Sequence, residues 1–233
     1  MATTTAVRIR TEPRISLPTL CAYMEAPAGR RQTIIAGQKY PPAFQVTYYR
    51  EAPSAVISYL SSDEPDESML ANEAAALRLR AAAASGWEQQ RLHSNAEAIG
   101  IFRHSLAQSL ATLGTFSPLR QKLAKPIYAG VEVSVQPDLL ITATRRGKDI
   151  RGAVKLRFGK DRHLGSEAGR YGAAVLYLYA SDYISGEEAV ARSLCLLIDV
   201  HAGKAHEAPR SQQRYLRDVE AACAEIAARW SAF

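Results

Sequence analysis

The sequence predicts an α/β domain in which a small mixed β-sheet is flanked by helices, preceded by an N-terminal helical extension. Three observations lead to this prediction. Residues 128–158 alternate around a charged turn, residues 193–200 form an apolar run of strand length, and helical periodicity precedes and follows both. Strands that alternate with helices typically form a sheet covered by helices. We therefore divide the chain into the extension, residues 1–66, and the α/β domain, residues 67–233.

The N-terminal extension is predicted to be helical with several breaks. Residues 16–26 and 52–60 have helical patterns, and Pro41-Pro42 must interrupt any helix between them. The acidic run 61–68 is predicted to be a surface loop. The stretch from Arg30-Arg31 to Tyr40 is basic and partly apolar. Two interpretations of this stretch stay open: contact with nucleic acid, and an ordinary surface helix.

Two helices are predicted next, from Met69 to the break at Ser85-Gly86 and from Ser94 onward. Ser94 and Glu97 fit a capping box, in which each side chain satisfies an exposed backbone amide of the other. Gly114 and Pro118 end the second helix. Its predicted buried stripe comprises Ile99, Phe102, Leu106, Leu110 and Leu113.

A strand over residues 128–144, a turn and a returning strand over 150–158 follow. In the returning strand Lys155 lies on a polar face with Arg151, Ala153 and Arg157. A helix capped by Ser166, the apolar strand, a short edge strand and a C-terminal amphipathic helix complete the domain. Residues predicted to be buried are Leu139, Ile141, Val154, Leu156 and Phe158 in the strands and Tyr215, Val219, Cys223, Ile226 and Trp230 in the last helix.

Positive charge is concentrated in residues 145–170. This segment holds nine Lys or Arg and three Asp or Glu, a net charge of 9 − 3 = +6, which equals the net charge of +6 of the whole chain. Such a basic strip is typical of phosphate-backbone binding, and a solvated strand edge is the alternative. The candidate phosphate contacts are Arg145, Arg146, Lys148, Arg151, Arg157, Lys160 and Arg170.

Several classes of protein are disfavoured by composition. No apolar run approaches the roughly 20 residues of a membrane span, and the N-terminus has no apolar signal region, so we expect a cytoplasmic protein. The three cysteines are far apart, which disfavours a zinc ribbon or a disulfide framework. The five histidines lack HxH or HExxH spacing, and no P-loop for ATP-driven movement is present.

Residues 94–233 contain three short motifs in a recognisable order. Pro137-Asp138 opens the first strand, Ala153-Val154-Lys155 lies in the second, and Glu167 and Tyr171 stand four residues apart in the following helix. This order resembles the PD-(D/E)XK nuclease superfamily, and more narrowly its RecB-like branch. The resemblance implies a restriction-endonuclease-like core, and it departs from the family where Ala153 replaces the strand acid.

The resemblance implies a phosphodiester-cleaving site with magnesium or manganese as cofactor. Magnesium takes carboxylate oxygens as ligands and stabilises the charge that develops on the phosphate. Asp138 and Glu167 are the candidate metal ligands, because some relatives carry a helix glutamate in place of the strand acid. Glu132, on the face of Asp138 in the predicted strand, is the other candidate. Lys155 would orient the attacking water.

Structural roles for the same residues stay open. Glu167 would also suit the first turn of a helix, Tyr171 is open as a core residue or a phosphate contact, and Asp138 is open as a strand-start residue. Our leading hypothesis is a magnesium-dependent nuclease that acts on DNA. The alternative is a catalytically inactive protein of the same fold that binds nucleic acid or a protein partner through its basic face. A purely structural subunit and a homo-oligomer are open as well.

Overall fold

Helices flank a mixed β-sheet in the computed structural model, which describes residues 9–41, 48–160, 163–184 and 186–232. The helices are α1 (Leu17–Glu25), α2 (Ala28–Lys39), α3 (Glu51–Leu60), α4 (Glu67–Ala83), α5 (Gly86–Phe102), α6 (Gln108–Ala111), α7 (Ser166–Tyr183) and α8 (Gln212–Trp230). The strands are β1 (Arg14–Ser16), β2 (Thr115–Pro118), β3 (Ile127–Tyr128), β4 (Val131–Ser134), β5 (Leu139–Arg145), β6 (Lys148–Arg157), β7 (Ala189–Val190), β8 (Leu196–Asp199) and β9 (Lys204–Glu207). The predicted fold class is confirmed.

The main sheet has six strands in the order β2-β5-β6-β8-β9, with β7 beside β6. It is mixed because β5 and β6 are antiparallel, with Leu139 opposite Val154, whereas β6 and β8 are parallel. A second sheet has the order β1-β4-β3, in which β1 and β4 are parallel. The N-terminal residues therefore supply a strand as well as helices.

The strand predicted over residues 128–144 is divided between these two sheets, which corrects the prediction. Strand β4 ends at Ser134 in the small sheet, and β5 begins at Leu139 in the main sheet. Between them Gln136 has a φ of 30°, and Pro137 has no amide hydrogen to donate to a ladder. The chain therefore leaves one sheet and enters the other just before Asp138.

Side chains that alternate along β6 enter two separate cores. Val154 packs in a cluster with residues of α3, α4 and α5, whereas Ala153 packs with residues of α1, α7 and α8. This alternation follows from the pleat of the strand. Residues of α1 and α3 therefore contribute to the same two cores as the main sheet.

Helix α5 begins at Gly86, eight residues before the predicted start at Ser94. Ser94 is buried in mid-helix with its hydroxyl 3.1 Å from that of Tyr48, so the capping-box prediction is wrong. The neighbouring Asn95 is fully buried and accepts a hydrogen bond of 2.9 Å from the amide of Ala52. Both partners precede α4 in the chain. They satisfy the polar side chains of Ser94 and Asn95, which in the sequence alone resemble the start of a helix.

The predicted apolar residues of α5, the following helix and α8 are largely confirmed. Ile99, Phe102, Leu106 and Leu110 are buried, whereas Leu113 is half-buried after the helix has ended. A π-helical turn, Arg103–Ala107, joins α5 to α6. All five inward residues predicted for α8 are buried, and so are the five predicted for the strands. Strand β2, which follows α6, was not predicted.

Helix α7 lies close to the main sheet because two of its glycines face the sheet. A Cβ atom added at Gly169 would lie 2.1 Å from the ring of His206, and one added at Gly172 would lie 2.3 Å from Leu197. Gly165, rather than the predicted Ser166, is the N-cap residue. None of the helices in the described part of the chain combines the length and the apolar character that crossing a bilayer requires.

Candidate functional site

Asp138 and Lys155 face each other at the start of β5 and near the end of β6. The register that sets Leu139 opposite Val154 brings them together, and the Asp138 amide donates to the Val154 carbonyl. The Lys155 ammonium lies 3.1 Å from Asp138 Oδ1, and the side chains are 18% and 26% exposed. The sequence-predicted juxtaposition of these two residues is therefore present in the structure.

Each group of this ion pair has a further partner. Asp138 Oδ2 accepts a hydrogen bond of 2.7 Å from the Leu156 amide, and Lys155 donates one of 2.9 Å to the Gln136 carbonyl. Both carboxylate oxygens are thus engaged within the protein. The arrangement holds one cation and one anion side by side on two adjacent strands, where both are partly buried.

Glu167 lies away from this pair, which corrects the expectation that it points toward Asp138 and Lys155. Its carboxylate is 3.3 Å from Arg170 and accepts a hydrogen bond of 3.2 Å from the Tyr215 hydroxyl. Its side chain is 53% exposed. The cause is helical rotation: Gly169 faces the sheet, and Glu167, two residues earlier, is rotated about 200° from it.

Tyr171 contacts α8 instead of the Asp138–Lys155 pair. Its hydroxyl donates a hydrogen bond of 2.9 Å to Asp218, and its ring lies 5.1 Å from that of Tyr215, edge to face. Burial raises the pKa of Tyr171, and the hydrogen bond to Asp218 adds to the effect. These contacts join α7 to α8, a packing role that the sequence left open.

Glu132, the other candidate ligand, belongs to the small sheet. In β4 it lies 2.9 Å from Lys125 and 3.7 Å from Arg14. The hydrogen bond from Lys125 lowers the pKa of the Glu132 carboxyl. The prediction placed Glu132 and Asp138 on one strand face, and this is wrong because the chain changes sheets between them.

The residues around Asp138 do not fit a magnesium ion. Magnesium prefers carboxylate oxygens and water, and Asp138 is the single predicted ligand found beside Lys155. Ala153, at the position of the family's strand acid, is 0% exposed within a core. Among the described residues, no group of three Asp, Glu, His or Cys side chains is placed to hold a metal ion.

The basic strip, residues 145–170, does not form one surface. Arg145, Arg146 and Lys148 lie at the hairpin between β5 and β6. Lys155 follows Lys148 by seven positions, which is about 23 Å along a strand at roughly 3.3 Å per residue. These hairpin cations therefore lie far from the Asp138–Lys155 pair.

Three further cations of the strip have partners within the described part of the protein. Arg157 is 12% exposed and lies 2.8 Å from Asp199, which is fully buried. Lys160 pairs with Glu97 at 2.5 Å, and Arg170 pairs with Glu167. Arg151 is half-buried, and its Nε has no hydrogen-bond partner among the described residues.

Sequence reasoning missed a pair of pockets lined by residues of both α1 and α2. The larger, about 390 Å³, includes Arg30 and Arg157 in its lining, and the smaller, about 260 Å³, includes Arg10 and Arg14. Thr19 lines both pockets. The one signal of these pockets in the sequence was the pair of basic residues at 30 and 31. The pockets themselves were not predictable, because the approach of α1 and α2 to β6 depends on tertiary packing.

No protein-family model matches this sequence, and a search of the curated proteins gives no match. Functional inference therefore depends on the contacts of the chain itself. These contacts define a paired lysine and aspartate on two adjacent interior strands of the main sheet, with no second carboxylate among their described partners.

Proposed function

We propose that this chain is a catalytically inactive relative of the PD-(D/E)XK nucleases that binds nucleic acid. The single observation that carries the proposal is the environment of Asp138. This carboxylate faces Lys155, as the family pattern requires, and its two oxygens accept hydrogen bonds from Lys155 and the Leu156 amide. The second carboxylate of such a site is missing from its described neighbours.

The fold supports the relationship to these nucleases. A long helix precedes a meander of strands, Asp138 and Lys155 lie on adjacent antiparallel strands, and α7 connects β6 to a parallel strand, β8. This order agrees with the pattern that the sequence resembles. Fold alone does not determine function. The contacts of Ala153, Glu167 and Glu132, none of which supplies a carboxylate beside Asp138, support the loss of catalysis.

The second candidate function is the magnesium-dependent DNA nuclease. The observation in its favour is the distance of 3.1 Å between Lys155 and Asp138, the two residues that the family pattern places together. It requires a further carboxylate beside Asp138, and Glu167 is engaged with Arg170 and Tyr215. The non-cleaving protein is therefore the better supported of the two.

One experiment separates these functions. The purified protein is incubated with labelled linear, circular and single-stranded DNA in magnesium, in manganese and in chelator, and both binding and cleavage are followed. We expect binding in all three conditions and no more cleavage than the Asp138→Asn variant gives. Metal-dependent cleavage that Asp138→Asn abolishes would establish the nuclease instead. Absence of binding under every condition would exclude the proposed function.

A further inference from the structure

We propose that the groove along α1 binds the sugar–phosphate backbone of a single-stranded nucleic acid, so that the N-terminal residues supply the main contact surface. The arginine groove is defined as the two pockets whose linings contain Arg10, Arg14, Arg30 and Arg157. This inference rests on the proposed nucleic-acid-binding function. It moves most of the binding surface from the basic strip of residues 145–170 to the N-terminal residues, and Arg157 belongs to both surfaces.

The two pockets adjoin each other at the N-terminal end of α1. Both include Thr19, a half-buried residue in the first turn of this helix. The larger is bounded by α1, α2 and the end of β6, and the smaller by β1, α2 and the end of β4. A chain that follows the groove would therefore pass across the N-terminal half of α1.

The charge of the arginine groove suits a polyanion. Among the described residues that line them, neither pocket has an aspartate or a glutamate. Residues 9–41 carry five Lys or Arg and two Glu, a net charge of 5 − 2 = +3. A groove lined by one sign of charge attracts a ligand of the opposite sign and orients it during association.

The four arginines differ in how firmly they are held. Arg10 donates a hydrogen bond of 3.2 Å to the Gln38 carbonyl, and Arg157 lies 2.8 Å from Asp199. Arg14 is 39% exposed, with Glu132 at 3.7 Å, and Arg30 is exposed. Two guanidinium groups are thus anchored at the groove, and two reach solvent, where they can contact phosphates bidentately.

The arginine groove also runs beside the Asp138–Lys155 pair. Ser134 lines the smaller pocket and precedes by two residues Gln136, whose carbonyl binds Lys155. Arg157 lines the larger pocket and follows Lys155 by two residues on the same face of β6. A bound strand would therefore pass the place at which the resembled nucleases carry out cleavage.

The dimensions of the groove favour a single strand over a duplex. Its pockets have volumes of about 390 and 260 Å³, near and below the lower limit of the roughly 300–1,000 Å³ of ligand-sized cavities. Hydroxyl groups of Ser16 and Thr19 lie among the arginines, 2.7 Å apart. Proteins that bind single strands without sequence preference combine a positively charged groove with aromatic side chains on which bases stack. The described linings supply the charge but no aromatic residue, so we expect contact with the backbone alone.

The test measures binding of a fluorescent oligothymidylate by anisotropy over a range of salt concentrations. The groove variant is Arg14→Gln with Arg30→Gln, in which Glu132 keeps Lys125 at 2.9 Å as a partner. The control is Arg78→Gln with Arg80→Gln on α4, which removes the same charge from a helix that packs in the other core. The rival surface is tested by Arg145→Gln with Lys148→Gln.

We expect the groove variant to bind at least tenfold more weakly and to lose about 1.4 units of salt slope, at roughly 0.7 units for each single-strand phosphate contact. The control should match the wild type in both quantities, and all variants should melt at the wild-type temperature. An effect of the hairpin variant equal to that of the groove variant would overturn the inference. So would tighter binding of a duplex of equal length.

The outcomes also distinguish failure of the arginine groove from failure of the proposed nucleic-acid-binding function. Wild-type binding that the groove variant leaves unchanged would exclude the arginine groove and leave nucleic-acid binding intact. A wild-type protein that binds neither the oligothymidylate nor a duplex at low salt would exclude both.

Discussion

Lys155 donates a hydrogen bond of 3.1 Å to Asp138 from the facing position on the neighbouring strand. The same carboxylate accepts the backbone amide of Leu156, so it joins β5 to β6 beyond their regular ladder. The pair thus acts as a structural contact between the two strands. Measurements of stability as well as of activity therefore test the role of this pair.

Removing the Asp138 carboxylate should destabilise the protein. Asp138→Ala leaves the Leu156 amide and the Lys155 ammonium without their acceptor, at a cost of about 1–3 kcal/mol. Asp138→Asn keeps an oxygen for the Leu156 amide and should lose less. Urea unfolding followed by circular dichroism measures both. Equal stability of Asp138→Ala and the wild type would show that the contact contributes nothing.

Arg157 should contribute more to stability than Arg170, another cation of the basic strip. Its partner Asp199 is fully buried and also accepts a hydrogen bond of 2.8 Å from the Leu164 amide. Arg157→Met would leave that buried carboxylate without its cation, which typically costs about 3–5 kcal/mol. Arg170→Gln removes a pair that is half-exposed on both sides and should cost about 1 kcal/mol or less. A similar loss in the two variants would contradict this assignment.

Glu167→Gln should leave both the fold and metal binding unaltered. The glutamate is 53% exposed and contacts Arg170 and Tyr215, so we expect a change in unfolding free energy within about 0.5 kcal/mol. Titration calorimetry with manganese should give the same result for the variant and the wild type. Metal-dependent DNA cleavage by the wild type that the variant lacks would restore Glu167 as a ligand.

Two buried histidines should make stability depend on pH. Burial lowers the pKa of His206 and of His201 below the ordinary value of 6.5. Near His206, Asp199 and Glu25 oppose this effect, and Lys204 and Arg170 reinforce it. Because the unfolded chain then binds protons more readily, stability is complete above pH 6.5 and falls as the pH decreases toward the folded-state pKa.

The melting temperature measured from pH 7.5 to 5 tests this expectation. The wild type should melt at a lower temperature as the pH falls below about 6.5, in line with the reference histidine pKa. His206→Gln removes one of the two groups, so its melting temperature should depend less steeply on pH. A wild-type profile that is flat or rises over this range would show that the histidines do not control acid stability.

Local patterns in the sequence determined several features of this protein. The inward face of α8 follows from apolar residues at helical spacing, and each of its five predicted residues is buried. Asp138 and Lys155 meet because a short hairpin fixes the register of two consecutive strands. In both cases the information lies within one helix or one hairpin, where neighbouring residues determine the geometry.

Tertiary packing decided the features that depend on distant segments. Ser94 lies inside α5, where its hydroxyl contacts Tyr48, and Glu132 is separated from Asp138 because β4 pairs with β1. The rotation of α7 about its axis was set by the close approach of Gly169 to His206, and this rotation directs Glu167 away from Lys155. The spacing of residues places a carboxylate on a helix, but the packing of that helix against the sheet and α8 determines which residues the carboxylate contacts.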